Sequence, residues 1–172
     1  MRRLPTWIIV AIFALAAMIV LIVINVISVA MKPGDEAQIR QAIAEMRQAS
    51  LESRPGGVQE YLSESFEMPE DVPSGSPFEN ARGRVGSFIR RARFEELEIS
   101  DIRIEISGKA AVAFIRAKGS LNYPPVPAAF SFDIPDLQVD FRKETHTRIF
   151  VVPDPTWVVV KVSGVGQQDF AQ

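Results

Sequence analysis

From Trp7 to Met31 the chain runs for 25 residues without a charged side chain. As an α-helix at 1.5 Å per residue, this run reaches roughly 37 Å, enough to cross a hydrocarbon layer about 30 Å thick with some tilt. Its only polar side chains, Asn25 and Ser28, sit near its end. Arg2 and Arg3 precede it, whereas Lys32 is followed at once by Asp35 and Glu36. This charge bias predicts a cytoplasmic stub at residues 1–6, one membrane-spanning helix at 7–31, and a domain outside the cytoplasm from residue 32 onward. A cleavable signal peptide, with Ser28-Val29-Ala30 as its processing site, is the competing reading. Its apolar core would normally span only about 7–15 residues, so the length predicts a retained anchor. The expected location is the cell membrane, single-pass, with the domain in the periplasm if the cell is Gram-negative.

The 141 residues beyond the run suffice for one domain with a core of its own, expected over 32–166 with a polar tail at 167–172. Cysteine is absent, which excludes disulfides and a lipidated cysteine. Beyond the run, 17 Lys and Arg face all 21 Asp and Glu. This mild acidic excess argues against a nucleic-acid partner. The bilayer and other membrane-complex subunits are the partners expected.

Pro33-Gly34 stops the anchor, and Asp35 with Gln38 three residues later forms a capping-box pattern. Ile39, Ala42, Ile43, Met46 and Ala49 then recur at helical spacing, predicting a first helix that ends near Arg54-Pro55-Gly56-Gly57. A short second helix is expected to follow, with Val58, Tyr61, Leu62 and Phe66 inward. Three prolines make 67–77 a loop, and Ser76-Pro77 with Glu79 predicts the start of a third helix. That helix would bury Phe78, Ala81, Val85, Phe88, Ile89 and Ala92.

After Arg93 the period falls from 3.6 to 2. Leu97 and Ile99 share one parity, while Ile102, Ile104 and Ile106 share the other, so a β-bulge is expected at Ser100-Asp101. Ser107-Gly108-Lys109 turns into a strand over 110–118, and a loop follows at 119–127. Phe130, Phe132 and Ile134 mark a third strand that Pro135-Asp136 bends or breaks. A fourth strand, 137–152, sets Leu137, Val139 and Phe141 against a polar face of Gln138, Asp140, Arg142, Glu144, His146 and Arg148. Residues 153–156 should turn into a last strand, 157–163. Helices followed by a bulged antiparallel meander give an α+β class.

Three stretches carry a family resemblance: the helix over 37–50; Phe88-Ile89-Arg90 leading into Leu97-Glu98-Ile99-Ser100-Asp101-Ile102; and Thr156-Trp157-Val158-Val159-Val160-Lys161-Val162. In pattern and order, residues 34–165 resemble the nuclear-transport-factor-2-like (NTF2-like) superfamily, with its SnoaL-like and ketosteroid-isomerase-like members. The resemblance implies a cone of three helices over a curved sheet, with a pocket at its open end. In isomerase-like members it implies a carboxylate base in an apolar pocket and a neutral donor pair. Asp133, Asp136 and Asp140 are the available carboxylates, and Tyr61 and Tyr123 the phenols. None matches a catalytic motif of the family, so no catalytic residue, cofactor or metal is expected. His146, the chain's one histidine, has charged neighbours on its face and reads as solvated.

Arg82, Arg84, Arg90, Arg91 and Arg93 form the candidate contact face, suited to a carboxylate-rich partner or to anionic lipid head groups. The function expected from sequence is a non-catalytic, membrane-anchored scaffold or accessory subunit of a larger complex. The alternative is a pocket protein that binds or isomerises a small apolar ligand.

Overall fold

The computed structural model describes residue 20 and residues 33–68, 80–124, 129–148, 152–165 and 170–171. Apart from Val20, the uncharged run at 7–31 lies outside the described residues, and no described helix is long and apolar enough to cross a membrane. The chain divides into two compact units: Met1–Gly34 with Thr145–Pro155, and Asp35–Glu144 with Thr156–Gln172. The second unit holds the helices and the core.

Helix α1 spans Asp35–Leu51 and buries Ile39, Ala42, Ile43, Ala49 and Ser50. Its outer face carries i,i+4 pairs that support a helix in water: Arg40 donates to Glu36 at 3.0 Å and Gln41 to Glu45 at 2.7 Å. Asp35 is itself the first helical residue, and its carboxylate accepts from Lys143 and Trp157 of the sheet. Ser53, at φ 51°, turns the chain out of the helix. Pro55 then opens a five-residue helix α2, Pro55–Gln59, where its fixed φ suits the first turn.

The expected second helix does not extend to Phe66. Leu62–Glu67 is instead strand β1, with Leu62, Ser63 and Phe66 buried. It runs parallel to the last long strand, and Val159 N–H donates to Tyr61 O at 2.7 Å. A four-residue spacing of Leu62 and Phe66 fits either period, and the deciding partner lies far along the chain. The third helix, α3, spans Ala81–Arg91. Asn80 caps it, extended in backbone and accepting from Gly83 N–H at 2.7 Å, so the helix begins later than Ser76-Pro77 suggested. Ser76, Pro77, Phe78 and Glu79 lie outside the described residues.

Strands β2 (Arg93–Ser107), β3 (Ala110–Asn122), β4 (Phe130–Arg148) and β5 (Val152–Ser163) follow, then a short β6, Phe170–Ala171. The sheet order is β1-β5-β4-β3-β2, with β6 beside β4. The expected bulge is present. Register shifts between Ser100 and Arg103, and Asp101 takes a left-handed φ of 52°. A second shift between Phe94 and Glu96 brings the Glu96 carbonyl so close to Gly119 that an added Cβ would lie 2.3 Å from it. Gly119 therefore lets β3 continue through the expected loop to Asn122.

Pro135 does not break β4, which runs on through it. The proline sits where the β3 partner jumps from Leu137 to Ile134, so it takes no place in the β3 ladder. Likewise, the expected turn at 153–156 is already strand, and the tail returns as β6.

The main core joins α1 to the sheet through Ile39, Ile43, Leu62, Phe66, Val139, Phe141, Trp157 and Val159. Burying one such side chain contributes about 2 kcal/mol. Strand β2 lies at the sheet edge, where alternate carbonyls lack a strand partner. Helix α1 supplies donors there: Arg40 to Ile102 O at 3.3 Å and Arg47 to Leu97 O at 2.5 Å. The bulge between those residues shifts the parity, so both carbonyls face the helix.

Candidate functional site

Between α1 and the sheet lies a cavity of about 370 Å³. Helix α1 contributes Ile43, Met46, Arg47 and Ser50, because these positions lie on one face at helical spacing. The strands contribute inward-alternating residues, among them Leu97, Ile99, Ala117, Ile134, Leu137, Val139 and Val162. The wall is hydrocarbon almost throughout. Its two polar residues are both committed to main-chain oxygens: Ser50 Oγ donates to Met46 O at 2.8 Å, and Arg47 Nε to Leu97 O. Such a surface favours apolar matter and disfavours any polar group brought in without a partner.

None of the carboxylates and phenols singled out from sequence lines this cavity. Asp133 is exposed and forms a bidentate pair with Arg116, at 3.0 and 2.7 Å. Arg116's hydrogen bonds hold the Asp133 carboxyl below its ordinary range. Asp136 is exposed, and Asp140 accepts from Gln138 at 2.8 Å. Tyr123 stacks on Phe88, with ring centroids 5.4 Å apart. Phe88 itself is 39% exposed rather than inward, and it also meets Phe94 in an edge-to-face pair. Of His146 only the backbone is described, within β4.

Tyr61 belongs to a separate notch of about 190 Å³, shared with Glu45, Gln48, Arg54 and Glu60. Its hydroxyl donates to Glu45. Burial first, and then that bond, push the phenol well above its usual range. Glu45 is pushed down by the same bond, with help from Gln41. A phenol so held stays protonated and faces the notch, not the cavity.

The arginine face is split. Arg82 is turned onto α2, donating to Gln59 O at 2.9 Å while Gln59 Nε2 donates back to Arg82 O at 3.0 Å. Arg84 is partly buried. Arg90, Arg91 and Arg93 are exposed, the first two in the last turn of α3, where cations favour the helix dipole. No group of three or more His, Cys, Asp or Glu that could hold a metal occurs among the described residues.

Arg47 escaped the sequence reading because it flanks the apolar stripe rather than interrupting it. Its heptad spacing from Arg40, beside Ile43 and Met46, was the available signal.

No family model and no curated protein matches this sequence. Solved structures do. An NTF2-like protein of unknown function in nutrient uptake from Rhodospirillum rubrum is 16% identical, with a TM-score of 0.57 over 72% of this chain and 93% of that one. An NTF2-like protein from Cytophaga hutchinsonii is 11% identical, with a TM-score of 0.55 over 76% and 96%. A conserved protein from Planctomyces limnophilus is 14% identical, with a TM-score of 0.55 over 74% and 92%. At these identities the likeness speaks for the fold alone: helices against a curved, open sheet, the NTF2-like α+β architecture.

Proposed function

We propose that this domain is a non-catalytic binding module for a compact apolar ligand, held between α1 and the sheet. The observation that carries it is the cavity wall: about 370 Å³ lined by hydrocarbon, within the ~300–1,000 Å³ usual for ligand sites. Among the described residues the wall offers no carboxylate, imidazole or phenol to move a proton, which supports binding rather than turnover. The uncharged run at 7–31, as a membrane helix, would hold the module beside a bilayer, where apolar ligands concentrate.

The test is photolabelling of the full-length chain in lipid nanodiscs with a neutral, diazirine-bearing alkane. Label should map to Met46, Leu97 and Val139, and Ala117→Trp, which fills the cavity, should reduce it there to background. Equal labelling of both proteins at those residues would overturn the proposal.

A second reading, the membrane-anchored scaffold, draws on the exposure of Arg90, Arg91 and Arg93. Replacing Arg90 and Arg91 by Glu should then release a co-purifying subunit while the fold persists, its melting temperature lower by no more than a few degrees for the reversed charges at the end of α3. Retention of every partner would remove this reading.

A further inference from the structure

We infer that the ligand is a medium-chain carboxylate amphiphile, its alkyl chain in the cavity and its head group on the end of the Arg47 guanidinium. This rests on the apolar-ligand reading above and adds the ligand's chemical class. The cavity wall gives a polar head no partner, so a head group carried by the ligand must sit at the margin of the cavity. Arg47 is at that margin, lining the cavity yet only half-buried. An arginine in such a place lays its methylenes along apolar surface and carries its charge outward.

The charge is held ready. Nε is bonded to Leu97 O at 2.5 Å, which fixes the plane of the guanidinium. The two Nη nitrogens have no hydrogen-bond partner among the described residues. Side-on pairing, through Nε and one Nη, is thus taken, whereas the end-on edge remains. That edge presents two parallel N–H donors, the fork that a carboxylate accepts bidentately. Glu98, the acidic residue following Leu97, does not neutralise it. Glu98 alternates to the other face of β2 and lines a polar notch with Arg116 and Lys118.

The experiment measures how well octanoate and 1-octanol block alkane photolabelling of the full-length chain in zwitterionic nanodiscs. Arg47→Met should raise the half-blocking concentration of octanoate about tenfold, the factor for losing one charge-assisted pair, and leave that of octanol unchanged. Partition into lipid cancels in the comparison between proteins. Arg47→Lys should keep part of the preference. Should Arg47→Met fail to fold, the wild-type chain still decides: raising salt from 20 to 500 mM must weaken octanoate several-fold and spare octanol. Equal effects of Arg47→Met on both ligands, or block by octanoate insensitive to salt, would overturn the inference while leaving the apolar-ligand reading intact. If neither compound blocks label at Met46, Leu97 and Val139, both fall together.

Discussion

The indole N–H of Trp157 donates to Oδ1 of Asp35 at 3.1 Å, tying the last long strand to the first residue of the first helix. Lys143 reaches the same oxygen at 2.5 Å and lies 5.6 Å from the Trp157 ring centroid. Trp157 is only 1% exposed, so this junction fixes how the core's largest side chain meets α1.

The Lys143 bond, and after it the Trp157 bond, hold the Asp35 carboxyl below its ordinary range. A depressed carboxyl stabilises the fold above its unfolded value, about 3.9, and loses that contribution as pH falls through the folded value. With about a third of the side chain exposed, the gain is about 1 kcal/mol. Asp35→Asn should lower the urea midpoint at pH 6 by the equivalent of that amount. The difference between the two proteins should shrink as pH falls below about 4.

Tyr61 gives the opposite sign. Its raised phenol favours the folded state up to the unfolded value near 10, and the benefit shrinks as pH climbs beyond it. In an alkaline absorbance titration of the folded chain, one of its two tyrosines should ionise late. Tyr61→Phe should abolish that late phase and cost about 1 kcal/mol. Alkane labelling of the cavity should not change.

Gly119→Ala should destabilise by about 1–3 kcal/mol, because its Cβ would press on the Glu96 carbonyl, a main-chain atom that cannot swing aside. Gly56→Ala is the control. A Cβ there meets nothing within 4 Å, and alanine suits a helix, so the melting temperature should hold or rise slightly.

Asp101→Gly should stabilise by up to about 1 kcal/mol, since glycine occupies the left-handed region without the clash an L-side chain meets there. A chemical melt measures it. Destabilisation would mean that the Asp101 side chain itself secures the bulge.

Patterns confined to one element were legible in the sequence. The stripe of α1 and the parity slip at Ser100-Asp101 both depend on neighbours a few residues apart, and both are present. What was not legible depends on distant partners. Leu62–Glu67 becomes a strand only beside β5, Pro135 falls where the β3 register jumps, and Gly119 matters because Glu96 bulges toward it. The cavity is of the same kind. Its wall draws on α1 and every long strand, and Arg47 gains its place through Leu97 of β2, fifty positions later. Phe88 reversed direction for a related reason, since Tyr123, packed beside the smaller Leu121–Phe132 cluster, stacks on its ring.

The parallel pairing of β1 with β5 also sets the order in which a growing chain can complete itself. Leu62 leaves the ribosome long before its register partner Val159 is made. Until then Ile39, Ile43 and Phe66 lack the Trp157 and Val159 side chains that complete their cluster, and apolar surface stays open to water. Such sequence-distant closure is slow by its topology, so the finished half-domain must wait for its last strand. A chain released before Trp157 would have no means of sealing its core, and its unclosed edge would invite capture by chaperones or proteases before a working domain could form.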